Sequence, residues 1–296
     1  MTLNEARTVL SKELKNIYDS DELKNIADLV LEYVTGLPRM EQIRSKKPWL
    51  TCHELENLDT ITERLKQSEP VQYVLGEAWF TGMKFKVNKN VLIPRPETEE
   101  LVDWIVKELN VQYSTPNTQC SMLDVGTGSG CIPIALKQKL PQAKISAVDV
   151  CSEALFTATE NAVALEAYVN FILLDFLQEE KWNELDTYDV IVSNPPYVMQ
   201  KEKDSMHKRV TSHEPSLALF VPDDDALIFY RKLADFSLLH LNTGGKLFVE
   251  INESLGKDVM DLFLSKGFAI VELRKDMQGK DRMIKATITA SYLQAM

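Results

Sequence analysis

Apolar residues recur at helical spacing through residues 2–67. Leu23, Ile26, Ala27, Val30, Leu31 and Val34 form one such stripe, closed by Gly36 and Pro38. Thr51-Cys-His-Glu54 has the form of a capping box and opens a helix through Leu55, Leu58, Ile61 and Leu65, which Pro70 ends. A small helical bundle is expected. The period then changes. Phe80-Thr-Gly-Met-Lys-Phe-Lys-Val87 alternates roughly every second residue, and Asn88-Lys-Asn90 predicts a turn before Val91-Leu-Ile93, so a β-hairpin is expected here. Pro96 suits the first position of a helix, Glu97 and Glu99 complement its positive end, and Leu101, Val102, Ile105 and Val106 supply its apolar face. From about residue 118, strand-like runs (Ser121–Val125, Ile145–Asp149, Phe171–Leu174, Asp189–Ser193) alternate with helical stretches. That alternation predicts an α/β fold with a parallel sheet covered on both faces. The expected divisions are a helical domain over 1–70, a hairpin linker over 71–96 and a larger α/β domain over 97–296.

The strand ends carry the candidate chemistry. The first runs into Gly126, Thr127, Gly128, Ser129 and Gly130, after which Ile132–Leu140 reads as a helix. Glycines let the backbone approach a ligand closely, and a helix amino terminus follows. Asp149 closes the second strand at about the distance usual for an acid that grips ribose hydroxyls. Asp175-Phe176 closes the third, and Asn194-Pro195-Pro196-Tyr197 the fourth. All four endings should share the carboxyl edge of the sheet, where ligands of open α/β sheets bind. A dinucleotide fingerprint would need glycine where Cys131 stands, and the Gly-Lys-Ser/Thr of a P-loop is absent. With Asp124, Asp149 and Asp175 near and no basic residue in or beside the loop, a cationic ligand such as S-adenosyl-L-methionine fits better than a pyrophosphate.

Neither Pro195 nor Pro196 can donate to a sheet ladder, so the fourth strand must stop there. The segment then offers acceptors, the Asn194 side-chain oxygen and the Pro195 carbonyl, with Tyr197 as an aromatic face. That set suits a flat –NH2 group; the other reading is a strand-ending turn. Arg95, between Pro94 and Pro96, sits on extended backbone that aims its guanidinium, unless the segment is only a well-capped helix start.

Composition narrows the classes. The 296 residues suffice for one large and one small domain. A formal charge of −11 argues against a stable electrostatic grip on nucleic acid. Cys52, Cys120, Cys131 and Cys151 are scattered, so neither a disulfide framework nor a metal site is expected, and a reducing cytoplasm is the default. The first residues lack an apolar signal core, and no run is long enough for a membrane span. His53, His207, His213 and His240 form no recognisable triad, and Lys201–Arg209 reads as a solvated loop.

Asp124-Val-Gly-Thr-Gly-Ser-Gly130, Val148-Asp149, Asp175-Phe176 and Asn194-Pro-Pro-Tyr197 resemble class I S-adenosylmethionine-dependent methyltransferases, the last motif pointing to the branch that methylates amino and amide nitrogens. Pro70-Val-Gln-Tyr73 with Gly76, Val91–Glu99, Glu214-Pro215 and Ala218-Leu219 are similar to the peptide chain release factor N5-glutamine methyltransferase family. Two departures stand out: Asn252-Glu-Ser where the family commonly carries Gly and a following Gln, and Phe176 where many relatives place tryptophan.

The resemblance implies a Rossmann-like sheet of seven strands with one antiparallel. Lys246–Ile251 would be the fifth strand, and Ile270–Leu273 and Met283–Ile288 the last two. It implies S-adenosyl-L-methionine bound by Gly126–Gly130, Asp149, Asp175, Phe176 and Asn194, with S-adenosyl-L-homocysteine as product and no metal. It further implies catalysis by Asn194, Pro195 and Tyr197, and substrate contacts from Asn194, Pro195, Pro196, Tyr197, Arg95 and Glu97. The expected substrate is the glutamine of the Gly-Gly-Gln loop of class I release factors, met by a cytoplasmic monomer. The alternative is an adenine-N6 or guanine-N2 methyltransferase of nucleic acid.

Overall fold

The computed structural model describes residues 1–44, 49–112 and 119–288. The end of the expected α/β domain, 289–296, lies outside the described residues. The chain divides into two compact units, Met1–Glu77 with His207–His213, and Ala78–Met206 with Glu214–Met296.

The first unit contains α1 (Leu3–Leu14), α2 (Ser20–Thr35), α3 (Arg39–Arg44), α4 (Cys52–Lys66) and α5 (Val71–Leu75). Local chemistry accounts for their ends. Thr2 with Glu5, and Thr51 with Glu54, form reciprocal capping boxes. The Asp19 side chain accepts from the Asp21 and Glu22 amides, and Gly36 closes α2 at φ 68°. The predicted α2 stripe is buried, packing with Leu10, Leu14, Leu58 and Leu65.

The second unit opens with β1 (Glu77–Phe80) and β2 (Met83–Lys86), a two-stranded sheet. Its turn is Thr81-Gly82, both at positive φ, as a two-residue hairpin requires. The sequence reading put the turn at 88–90 and a strand at 91–93. The turn at 88–90 is present, closed by the Val91 N–H donating to the Asn88 carbonyl at 3.1 Å, but no strand follows it: the Ile93 N–H donates to the Glu214 carboxylate. Residues 71–76, expected in the linker, form α5 and group with the helical unit.

There follow α6 (Pro96–Gln112), β3 (Ser121–Val125), α7 (Cys131–Lys139), β4 (Lys144–Asp149), α8 (Ser152–Ala164), β5 (Asn170–Leu173), β6 (Tyr188–Ser193) and β7 (Val198–Met199). Next come α9 (Lys208–His213), α10 (Ser216–Leu219), β8 (Phe220–Val221), α11 (Ile228–His240), β9 (Leu241–Glu250), α12 (Gly256–Lys266), β10 (Ile270–Lys275) and β11 (Asp281–Thr287). The main sheet has the order β10-β11-β9-β6-β3-β4-β5. Only β11 runs antiparallel to the other six strands. This is the Rossmann-like class I methyltransferase architecture. The chain builds outward from β3 through β4 to β5, then returns to lay β6 on the other side of β3. That reversal opens a crevice beyond the carboxyl ends of β3 and β6.

Both faces of the sheet are covered, which is why its strands read as unbroken apolar runs. Ile191, Leu123 and Leu247 pack on one side with Tyr230, Phe236 and Phe263. Val190, Val192 and Phe248 pack on the other with Trp104, Ile105 and Ile134.

Arg209, read from sequence as part of a solvated loop, belongs to the core of the first unit. Its guanidinium lies 4.1 Å over the Tyr18 ring, donates to the Ile17 carbonyl at 2.9 Å and pairs with Glu22. A planar cation is retained here because it stacks and donates at once.

Candidate active site

A cavity of about 390 Å³ opens at the sheet's switch point, lined entirely by the second unit. Gly126, Thr127, Gly128 and Ser129 line it, with Asp149, Asp175, Phe176, Asn194, Pro195, Pro196 and Arg95. Gly130, Glu97 and Tyr197 do not.

Positive φ at Gly126 (75°), Gly128 (54°) and Gly130 (78°) lets the loop turn tightly enough to present backbone to the cavity. Gly130 does a second job, because a Cβ there would lie 3.1 Å from Ala158 Cβ, so α7 and α8 pack closely only over glycine. Asp149 ties the loop down. One carboxylate oxygen accepts from the Gly128 amide at 2.8 Å, the other from the Cys151 amide at 2.9 Å. Burial raises its carboxyl above the usual range, and the Cys151, Gly128 and Val150 amides oppose that rise. Each oxygen keeps a lone pair for an incoming hydroxyl. Asp175 is held similarly by the Leu177 amide and the Gln178 side chain. Thr127 and Ser129 line the cavity, but their hydroxyl oxygens are buried beneath its wall, Thr127 on the side of Asp124 and Ser129 on the side of Cys131.

The acceptor segment is set by long-range contacts. Ser193 Oγ donates to the Val125 carbonyl at 2.7 Å, joining the ends of β6 and β3. Asn194 Nδ2 donates to Thr98 Oγ1 at 3.1 Å, and Thr98 in turn donates to Glu250 at 2.6 Å. The Tyr197 hydroxyl donates to the other Glu250 oxygen at 3.2 Å. Glu250 is 1 % exposed. Loss of water raises its carboxyl, against the pull of Thr98, Arg282 and Tyr197. An amide NH2 only donates, so the Thr98 oxygen accepts from Asn194 and its own proton points to Glu250. The Asn194 amide is thereby oriented with its NH2 spent on Thr98, leaving Oδ1 for another donor.

Residues 103–216 match the family described as Methyltransferase small domain, and residues 5–76 the PrmC N-terminal domain. The release factor glutamine methyltransferase of Flavobacterium psychrophilum is 44% identical over 96% of this chain and 99% of its own length. The chain belongs to the release factor glutamine methyltransferase family. The relative of the same description from Bacteroides thetaiotaomicron is 40% identical over 96% of this chain and 99% of its own length. The solved structure of a human methyltransferase 10 domain containing protein covers 70% of this chain and 90% of its own at a TM-score of 0.50 and 17% identity, a likeness of fold alone.

Within this family member, the remaining expected site residues divide. Arg95 lines the cavity with its guanidinium paired to Glu214 at 2.6 Å, the Glu214 side chain being 1 % exposed. Glu97 sits in the first turn of α6, outside the lining. Phe176 reaches the cavity from an aromatic cluster with Trp182 and Phe236, centroids 5.6 and 5.2 Å away. Tyr197, expected on the plane of the substrate amide, packs on the apolar core instead, because its buried hydroxyl needs the Glu250 acceptor. Thr98, Glu214 and Glu250 received no role from sequence. The one available signal was Glu250, a single acid in the apolar run Leu247-Phe-Val-Glu-Ile251. Among the described residues no cluster of metal-binding side chains occurs, and no helix is long and apolar enough to cross a membrane.

Proposed function

We propose that this chain transfers the methyl group of S-adenosyl-L-methionine to the side-chain nitrogen N5 of the glutamine in the Gly-Gly-Gln loop of class I peptide chain release factors, in support of translation termination. The observation that carries the reading is the orientation of Asn194, whose side-chain NH2 is spent on Thr98, in a chain 44% identical to a release factor glutamine methyltransferase.

The residues fit the cofactor. The glycine backbone and the Asp149 and Asp175 carboxylates, with no basic residue in the glycine loop, suit a ligand with a ribose, an adenine and a cationic end. Phe176 contributes an aromatic edge. When bound, S-adenosyl-L-methionine supplies an activated methyl electrophile, leaving S-adenosyl-L-homocysteine, and the reaction requires no metal. An amide nitrogen is a poor nucleophile because its lone pair is delocalised into the carbonyl, and it carries no proton that a side chain removes at neutral pH. The chain's task is therefore positional. Asn194 Oδ1 and the Pro195 carbonyl accept the two amide hydrogens, which weakens conjugation and directs the lone pair; such alignment is worth several kcal/mol of barrier. As positive charge develops on nitrogen the same acceptors bind harder, the differential binding that catalysis needs. The surplus proton passes to water. Pro196 fixes the backbone of the clamp, Tyr197 braces it through Glu250, and Arg95 is held by Glu214 at the cavity wall.

The helical residues 1–76 serve as the release factor recognition domain, with the hairpin segment 77–96 joining them to the catalytic residues 97–296, and the protein works as a cytoplasmic monomer. A nucleobase amino group would suit the same clamp, but a net charge of −11 opposes the salt-sensitive grip on nucleic acid that such substrates need. The test is labelled cofactor offered with a release factor, with its Gln→Ala variant, or with bulk nucleic acid. Label on the first alone is expected; label on nucleic acid, or on the Gln→Ala protein, refutes the reading.

A further inference from the structure

We propose that Glu250 is a positioning residue: through Thr98 it locks and polarises the Asn194 amide, making Asn194 Oδ1 a stronger, single-orientation acceptor. This rests on the reading of Asn194 as the clamp for the substrate amide. Three independent features converge on it. The first is placement. Ser193 of β6 is in register with Val249 of β9, so the next residues, Asn194 and Glu250, emerge side by side at the carboxyl edge. Thr98, in the first turns of α6, bridges them. The second is burial. An acid at 1 % exposure on a central strand is costly unless it is hydrogen-bonded, and an apolar residue would serve packing better. Its retention calls for a use beyond stability.

The third is the direction of the chain of donors. Thr98 to Glu250 is the short, charge-assisted link, and Asn194 to Thr98 is the longer neutral one. A negative charge at one end draws the Thr98 proton toward itself. The Thr98 oxygen becomes more negative and pulls on the Asn194 NH2, and electron density moves toward Oδ1. Hydrogen bonds in series strengthen one another in this way, by about 10–30% per bond. The same link forbids the flipped amide, which would turn NH2 toward the substrate's own NH2. Tyr197 completes the carboxylate's shell on its second oxygen, and Arg282 and Glu97 set its surrounding potential with opposite signs.

The test uses the full chain as Thr98→Val, Thr98→Ser and Glu250→Gln. Valine keeps the shape of threonine but cannot receive the Asn194 NH2; serine keeps the hydroxyl. Two readouts are taken. Solvent exchange of the Asn194 side-chain NH2 is followed in protein carrying ¹⁵N-asparagine, its signals assigned by their loss in Asn194→Asp. Methylation of a release factor is followed for kcat and KM separately. Thr98→Val is expected to speed that exchange on the order of tenfold and to lower kcat roughly ten- to hundredfold with KM nearly unchanged. Thr98→Ser restores both, and Glu250→Gln, which keeps an acceptor but loses the charge, lowers kcat by about tenfold. Wild-type exchange and wild-type kcat in Thr98→Val would overturn the proposal, as would a change confined to KM. Should Thr98→Val fail to fold by circular dichroism, Glu250→Gln decides by the same two readouts. If wild-type protein leaves the release factor unlabelled, the functional reading fails, and the exchange experiment still reports whether Thr98 locks Asn194.

Discussion

Asp124 stands two residues before the glycine loop, fully buried, and neither of its oxygens has a well-formed hydrogen bond, the nearby Thr127 hydroxyl included. Loss of water pushes its carboxyl from its ordinary value of 3.8 up to about 7; Thr127 opposes this weakly and the Asp149 charge adds to it. The folded value therefore exceeds the unfolded one. Below pH 3.8 both states carry the proton. From there to about pH 7 the folded chain keeps a proton that the unfolded chain has released, so stability falls as pH rises. At about 1.36 kcal/mol per pH unit, the interval is worth about 4 kcal/mol. Asp124→Asn removes this dependence. Asparagine leaves a buried amide poorly satisfied, at a constant cost of about 1–3 kcal/mol that does not vary with pH. The assay is urea unfolding of both proteins from about pH 4.5 to about pH 8, read as variant minus wild type. That difference cancels Glu250, whose carboxyl is also raised, and Asp225 and Asp276, whose carboxyls are lowered, while Asp149 enters only through its coupling to Asp124. The variant should gain on the wild type by about 3–4 kcal/mol across the range. A flat difference curve would refute the reasoning.

Asn194→Ala should leave cofactor affinity by calorimetry near wild type and lower single-turnover methylation roughly a hundredfold or more. Asp149→Ala removes the acceptor for ligand hydroxyls and for the Gly128 and Cys151 amides, so the cofactor Kd should rise on the order of tenfold or more, with Asp149→Asn recovering part of it. Gly130→Ala combines a left-handed φ of 78° with Cβ contacts of 3.1 Å to Ala158 and Ile134 and should cost about 2–4 kcal/mol in urea unfolding. Gly126→Ala, at φ 75° with no atom within 4 Å of the new Cβ, should cost only about 1–2 kcal/mol.

What the sequence determined by itself is what local chemistry determines. Side-chain period separates helix from strand, so the α2 stripe and the buried runs of β3, β4 and β6 were legible. Glycine, proline and capping residues act within a few positions, which is why the loop at 126–130, the stop at Asn194-Pro-Pro-Tyr197 and the Thr51–Glu54 capping box could be named. Strand-end residues line one cavity because parallel strands share a carboxyl edge; that much follows from alternation alone. What only the tertiary structure decided depends on sheet order and register. Thr98 and Glu250 lie 152 positions apart and meet because α6 packs on β9, where Trp104 lies against Phe248, which no local pattern encodes. The turn at 88–90 formed as read, yet the hairpin closes at Thr81-Gly82, because 91–93 is no strand and Ile93 found a carboxylate 121 positions away. Arg209, read as solvated from sequence, is half-buried because Tyr18 and Glu22 stand ready to receive it. Short-range forces chose the pieces and the acceptor motif. The packing of distant strands chose which way the Asn194 amide faces.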